Sequence, residues 1–452
     1  MGRIGPEPVP EITLLRPRWI VPVEPAGAVL EGHCVALRGE RIEALLPERE
    51  ALARYPDAER VELPRHVLIP GLVNAHTHAA MALMRGLADD LPLMRWLEGH
   101  IWPAEMKHVG APFVKDGTLI ACAEMLRGGI TCFNDMYFFP EASIEAALAA
   151  GLRISAGMIV FDFPSAYGAD PDDYLAKGLA LRDRWGDHPL VSFCLAPHAP
   201  YTVSDATFGK VAKLLGEIDV PLHTHLHETG DEIRRSLAEH GVRPIARLER
   251  LGLLGPNLIA VHAVHLEDAE IALLAKHGAS VAHCPSSNLK LASGFAPVAK
   301  LAAAGVNVAL GTDGAASNNR LDLFSEMRLA ALLAKAVSGD AAALPAHAAL
   351  RAATLSGAAA LGLASRIGSI VAGKAADLTA VKLEGPALSP CYDPVSHLVY
   401  AAGRDDVSDV WVAGRRRVQD GNIVEIPPDF TAGTLDTRGK LWQNTLQSRA
   451  GS

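Results

Sequence analysis

The chain has 452 residues, of which 49% are hydrophobic and 21% charged, leaving room for one large globular domain and a smaller companion. Its net charge of −9 excludes an extended nucleic-acid surface. No uninterrupted apolar stretch is long enough to span a bilayer, so neither nucleic acid nor membrane is an expected partner.

The first ten residues, rich in Pro and Glu, read as a loose N-terminus. From about 11 to 66 the pattern is one of short alternating strands, with a hairpin at 35–42 turning at Gly39. Residues 67–73 form an apolar strand running into His76-Thr77-His78. Strand side chains alternate, so the two imidazoles point to one side, as half of a metal site does. A surface loop is the plainer alternative, but an apolar run delivering a His-x-His pair is a poor way to build one.

The middle of the chain alternates apolar runs with Ala/Leu-rich helical stretches. Eight strands are expected at 67–75, 130–135, 153–160, 190–197, 220–226, 258–262, 279–284 and 307–312. Helices are expected between them, among others at 141–151, 205–216, 231–251, 268–278 and 298–305, several starting near Asp and ending at Gly. Eight such units imply an α/β fold, a (β/α)8 TIM-like barrel over 67–365. The β-rich ends, 1–66 and 366–452, are expected to join in a small composite β-sandwich domain. The basic run Arg415, Arg416 and Arg417 reads as a solvated turn.

Such a barrel works at the C-terminal ends of its strands. There stand His76 and His78 after the first strand and His198 after the fourth. His225 and Glu228 end the fifth, His262 the sixth and Asp313 the eighth. Three imidazoles and one carboxylate (His76, His78, His225, Asp313) make a catalytic zinc set with room for water. In His223-Thr224-His225-Leu226-His227 the three histidines share a strand face; His223 lies deeper and His227 beyond the end, so position favours His225. Asp313 alone is a plain turn residue; among these histidines the ligand role prevails. His and carboxylate donors also suit other divalent transition metals. The six cysteines (Cys34, Cys122, Cys132, Cys194, Cys284, Cys391) show no C-x-x-C spacing, which fits a reducing cytoplasm.

The motifs Pro70-Gly71-Leu72-Val73-Asn74-Ala75-His76-Thr77-His78, His225-Leu226-His227-Glu228, Val261-His262-Ala263-Val264-His265, His283-Cys284-Pro285-Ser286-Ser287-Asn288 and Gly311-Thr312-Asp313-Gly314 resemble those of the amidohydrolase superfamily. Gly373-Lys374-Ala375-Ala376-Asp377-Leu378 resembles its tail motif. Binuclear members carry a lysine on the fourth strand. Residues 191–198 hold none, so the resemblance implies one Zn2+ per subunit.

Within the superfamily the chain looks like the 5'-methylthioadenosine/S-adenosylhomocysteine deaminases. The matching stretches are 84–93, Trp102-Pro103-Ala104-Glu105, Ala196-Pro197-His198-Ala199-Pro200-Tyr201 and Gly314-Ala315-Ala316-Ser317-Asn318-Asn319. The resemblance implies hydrolytic deamination at C6 of an adenine nucleoside, with Asp313 taking a proton from water, Glu228 protonating N1 and His262 holding the attacking oxygen. It also implies that Glu105 receives the ribose hydroxyls and that His198 holds base or sugar. On residues alone, Glu105 is as well explained as a helix N-terminal acid and His198 as a packed histidine between prolines. Trp96 and Trp102 either cover the nucleoside or pack in the core; His265, His283 and Asn288 read as bracing. The family's habit implies a homo-oligomer, a dimer or tetramer. Some members of the family place arginines after the third strand to hold the homocysteine carboxylate; residues 161–174 hold no Arg or Lys, so the resemblance implies uncharged methylthioadenosine or adenosine over S-adenosylhomocysteine. The rival substrates are guanine or an s-triazine on the same ligands; a metal-free scaffolding relative is disfavoured because all four ligands and Glu228 are present.

Overall fold

Eight apolar runs of the middle segment become the parallel strands Leu72–Thr77 (β1), Ile130–Asp135 (β2), Arg153–Val160 (β3), Val191–Pro197 (β4), Leu222–Leu226 (β5), Leu258–His262 (β6), Ser280–His283 (β7) and Asn307–Leu310 (β8). They pair in chain order, β1 to β8. The computed structural model in which they are seen describes residues 12–424, 427 and 430–447; the loose N-terminus expected from sequence lies outside the described residues. The last strand returns to the first. Asp313 N donates to His76 O, and Thr312 N to Asn74 Oδ1, each at 3.0 Å. The sheet is thus a nearly closed barrel. Its strands are buried on both faces, which is why they read as continuous apolar runs.

Helices separate the strands, including Pro140–Ala150, Asp205–Leu215 and Asp268–His277. The single helix expected over 231–251 is two, Gly230–His240 and Pro244–Arg250. Gly241 takes a left-handed φ of 69°, which ends the first, and Pro244 sits at the start of the second, where its missing N–H costs nothing.

The two ends of the chain meet in one nine-stranded sheet. Leu378–Lys382 pairs antiparallel with the end of Glu59–Pro70, Leu378 opposite Pro70. Residues 67–70 therefore belong to this sheet, and the barrel's first strand begins at Leu72, not at 67. The basic run is likewise not a turn: Arg415–Gln419 is a strand, the turn before it is Ala413-Gly414 (φ 48° and 73°), and Arg416 Nε donates to Asp409 Oδ1 at 2.9 Å.

A buried bidentate ion pair fastens sheet to barrel. Arg153, first residue of β3, donates through Nε and Nη2 to the two oxygens of Asp377, both at 3.1 Å. Asp377 Oδ1 also accepts Ala413 N at 2.8 Å. The C-terminal helix Ala432–Gln447 lies on the barrel side, where Trp442 Nε1 donates to Asp116 Oδ2 at 2.9 Å.

Candidate active site at the C-terminal end of the barrel

The strand ends open into a cavity of ≈ 570 Å³, within the usual size of a small-molecule pocket. His78, His198, His225, Glu228, His262 and Asp313 line its floor, and Glu105 its wall. The rest is apolar, with Trp96, Trp102, Phe138, Phe161 and Phe163 among the lining residues.

His76, His78 and His225 bring ring nitrogens within 4.8 Å of one another, and so do His76 and His262 with the Asp313 carboxylate. The Nε2 atoms of His76 and His78 each stand 3.2 Å from Asp313 Oδ1. Two donors ~2.1 Å from one zinc at the tetrahedral angle stand about 3.4 Å apart. The opposite ring nitrogens are already engaged. His78 Nδ1 donates to Met136 O at 2.6 Å, and His225 Nδ1 to His198 O at 2.7 Å. His76 Nδ1 lies 3.0 Å from His223 Nε2. Placing these protons on Nδ1 leaves every Nε2 lone pair free for a metal. His76 Nε2 is fully buried without an aligned hydrogen-bond partner among the described residues, as an atom reserved for a metal is. The three imidazoles and the carboxylate fit zinc.

Asp313 is held by more than its ligand neighbours. Its Oδ2 accepts Ser287 Oγ at 2.6 Å and Ser317 Oγ at 2.7 Å, and its Oδ1 accepts Gly314 N at 2.8 Å. The flanking glycines are required by close approach: a Cβ on Gly311 would lie 2.9 Å from His76 Cβ, and one on Gly314 2.9 Å from Met81 Sδ. Neither serine was singled out from sequence, although both lie in motifs noted there. Tyr137 was missed altogether. It follows β2, donates to Glu105 Oε1 at 2.7 Å and stands beside His78, with ring centroids 6.3 Å apart.

Of the three histidines, His223 and His225 share the inner face of β5, and His227 lies past its end. His223 lies at the barrel centre against His76; His225 faces the cavity. His227 follows the strand with a left-handed φ of 56°, which turns its ring away from the ligands. There its Nδ1 donates to His265 O at 3.1 Å and its Nε2 accepts Ile245 N at 3.0 Å.

His262 Nδ1 meets Asn288 Oδ1 at 2.9 Å, and its Nε2 stands 3.7 Å from Glu228 Oε2. Burial pushes the Glu228 carboxyl above the ordinary glutamate range, against the lowering influence of His262. Burial likewise pushes Glu105 up to about 7, opposed by the Tyr137 hydroxyl. His198 stacks on Phe161 at 4.7 Å, and its Nδ1 lies 2.9 Å from Thr202 Oγ1. Burial and then the imidazoles of His78 and His76 bring it down to about 3, so it is neutral near pH 7. His265 Nε2 donates to Ser293 O at 2.8 Å, away from the cavity. His283 is buried, its Nδ1 without a partner among the described residues. Trp102 and Glu105 ride on the helix Trp102–His108, which a π-helical turn, Leu97–Ile101, joins to the preceding helix.

Residues 67–417 match the amidohydrolase family model. A 5-methylthioadenosine/S-adenosylhomocysteine deaminase of Teredinibacter turnerae is 47% identical over 424 residues, 94% of this chain and 96% of that protein. The crystal structure of an adenosine deaminase from Xanthomonas campestris with bound zinc superposes with a TM-score of 0.95 at 49% identity, covering 98% of this chain and all of that one. Atrazine chlorohydrolase from Arthrobacter aurescens, complexed with zinc, gives a TM-score of 0.88 at 25% identity over 95% of this chain and 99% of that one.

Proposed function

We propose, from the premise that this chain belongs to the amidohydrolase family, that it is a zinc-dependent aminohydrolase acting at C6 of adenine nucleosides. It converts 5'-methylthioadenosine to 5'-methylthioinosine and S-adenosylhomocysteine to S-inosylhomocysteine, with adenosine a further substrate, and releases ammonia. The observation that carries this is the meeting of the His76, His78 and His225 ring nitrogens within 4.8 Å of one another, with Asp313 Oδ1 3.2 Å from the first two, at the floor of an apolar pocket that also holds a buried carboxyl, Glu228. Identities of 47% and 49% to nucleoside deaminases, against 25% to the chlorohydrolase, favour the nucleoside over a triazine.

His76, His78, His225 and Asp313 would hold the zinc. When bound, it acts as a Lewis acid that lowers the pKa of water toward about 7. Asp313 takes a proton from the attacking water, while His262 Nε2 hydrogen-bonds the oxygen and fixes its approach to C6. Glu228 gives a proton to N1, because the ring nitrogen gains negative charge as C6 becomes tetrahedral. Its burial supports this role, since a carboxyl pushed up keeps a proton to give. Asp313 passes the proton it took from water to the amino group, which leaves as ammonia as the C6–N bond breaks; the C6 hydroxyl proton returns to Glu228 as the C6 carbonyl forms. Glu105 receives the ribose hydroxyls, oriented by Tyr137, and His198 presents Nε2 as an acceptor to base or sugar.

Among the described residues none lining the pocket is Lys or Arg. This supports a preference for the uncharged thioether, or plain adenosine, over the zwitterionic homocysteine tail. Comparing kcat/KM on the three nucleosides tests it; a strong preference for S-adenosylhomocysteine would reverse it. The parent reading is tested by incubating zinc-loaded protein with 5'-methylthioadenosine and following adenine absorbance together with ammonia. Loss of the adenine band with one ammonia per turnover is expected; no change, with zinc bound, sinks it.

We further propose that the barrel and the terminal sheet are two domains, with the chain crossing between them at Gly71. Free thiols at all six cysteines support a reducing, cytoplasmic setting, and no helix among the described residues is long and apolar enough to cross a membrane. A homo-oligomer, dimer or tetramer, is the assembly to test by light scattering.

A further inference from the structure

We infer that Glu232, which does not line the pocket, is a positioning residue that aims Glu228 at its substrate. The inference rests on Glu228 being the proton donor proposed above.

β5 ends at Leu226, and four residues later the helix Gly230–His240 begins. The amides of His227 and Glu228 are thus beyond the strand ladder, in residues that are 0% and 4% exposed. A buried N–H left unpaired costs about 1–3 kcal/mol. Both are taken by one side chain. Glu232 Oε1 accepts His227 N at 2.9 Å, and Glu232 Oε2 accepts Glu228 N at 2.8 Å. Glu232 is itself buried in the helix's first turn, where Thr229 Oγ1 accepts its backbone N–H at 3.3 Å.

His227 is pinned elsewhere too. Its left-handed backbone is unfavourable for a side-chain-bearing residue. It persists because the ring is held at both nitrogens and because His227 O accepts Val264 N at 3.0 Å and His265 N at 2.9 Å. Those two amides follow His262 by two and three residues. The Glu232 carboxylate therefore closes a frame that sets the Glu228 backbone relative to His262, the residue its side chain approaches.

The chemistry of this clamp is specific to a carboxylate. Two successive peptide N–H groups need two acceptors. Glutamine has the same shape but offers one acceptor and turns an N–H₂ toward the other amide. Glu232→Gln is thus a near-isosteric variant that must break one of the two bonds. Glu232→Asp keeps both oxygens on a side chain one methylene shorter.

The test is a double-mutant cycle on zinc-loaded protein: Glu228→Gln, Glu232→Gln, the double variant and Glu232→Asp. Single-turnover rate, kcat, KM, zinc content and Tm are measured for each. Glu232→Gln is expected to lower kcat about 10–100-fold, the size of effect that misplacing a reacting group produces. KM and zinc content should hold, and Glu232→Asp should recover part of the loss. In the Glu228→Gln background the second substitution should cost nothing further, because no proton donor remains to be aimed. An undiminished kcat in Glu232→Gln, or the same fold-loss with and without Glu228, overturns the inference. If Glu232→Gln does not fold, Glu232→Asp decides: an unchanged kcat overturns the inference, and a lowered kcat with KM and zinc intact supports it. An unchanged kcat in Glu228→Gln overturns the proton-donor reading, and this inference with it.

Discussion

The barrel carries buried charged groups at both ends, and the two sets are built on opposite logic. At the N-terminal end, Arg153 and Asp377 face each other at 3.1 Å through two parallel hydrogen bonds, and Asp377 takes a third from Ala413. At the C-terminal end, His76, His78 and His225 engage one ring nitrogen each with the protein and leave the other three meeting within 4.8 Å, those of His76 and His78 also 3.2 Å from Asp313. The first set is complete within the chain; the second is complete only with a cation. Burial is common to both, so burial does not separate a brace from a reaction centre. What separates them is whether the polar atoms are satisfied by the protein itself.

The largest expected effect sharpens that contrast. Asp313→Asn should lower kcat by ~10²–10⁴-fold or more, as loss of a proton-accepting group does. In chelator-treated protein the same change should cost far less Tm than in zinc-loaded protein, because only the loaded native state forfeits the stabilisation of bound zinc. A calorimetric scan in which the zinc-free variant melts well below zinc-free wild type would break the contrast.

Arg153→Ala should do the reverse. Stripping one partner from a buried ion pair costs about 3–5 kcal/mol of stability, while kcat per folded, zinc-loaded molecule stays put. Urea unfolding followed by activity of the soluble fraction checks both halves. A variant that folds normally but has lost turnover would tie the bottom of the barrel to the chemistry.

Glu228 adds a pH signature to the upper end. It acts in the protonated form, and burial raises its pKa. Activity should therefore persist above the ordinary glutamate range and fall on the alkaline side as the proton leaves. Glu228→Gln should lower kcat and abolish that alkaline limb; a limb that survives belongs to another group. The smallest effect is expected at Glu105. Its Gln variant loses one of two acceptor oxygens, a hydrogen bond worth about 0.5–1.5 kcal/mol. This should lower kcat/KM for nucleosides while leaving turnover of a bare purine base, however slow, unaffected.

Much of this was legible in the residue order. Parallel strands covered on both faces read as unbroken apolar runs, so the barrel strands stood out, and the polar residues that ended them marked the site. The run through Val67 to Val73 shows the limit. It is uniformly apolar, yet it serves two sheets, parting at Gly71, where a Cβ would fall 2.1 Å from Thr131 Oγ1. Hydrophobicity reports burial and not which neighbour does the burying. The break near Gly241 and Pro244 was different: its signals were present and were outweighed by the helical pattern on either side. Among His223, His225 and His227, position alone favoured the middle one, but the left-handed turn at His227 that removes the third from the strand face could not be read from alternation.

By itself, then, the sequence determined the donor types, their order along the chain and the strands that carry them, because these follow from local composition and a two-residue period. Only the tertiary structure decided which nitrogen of each imidazole faces inward, and which serines and amides hold the two carboxylates. Those choices are made by hydrogen bonds between residues far apart in the chain, such as Asn74 and Thr312, 238 positions away. A side chain's chemistry is local, but its proton and its direction are set by whatever the fold places against it.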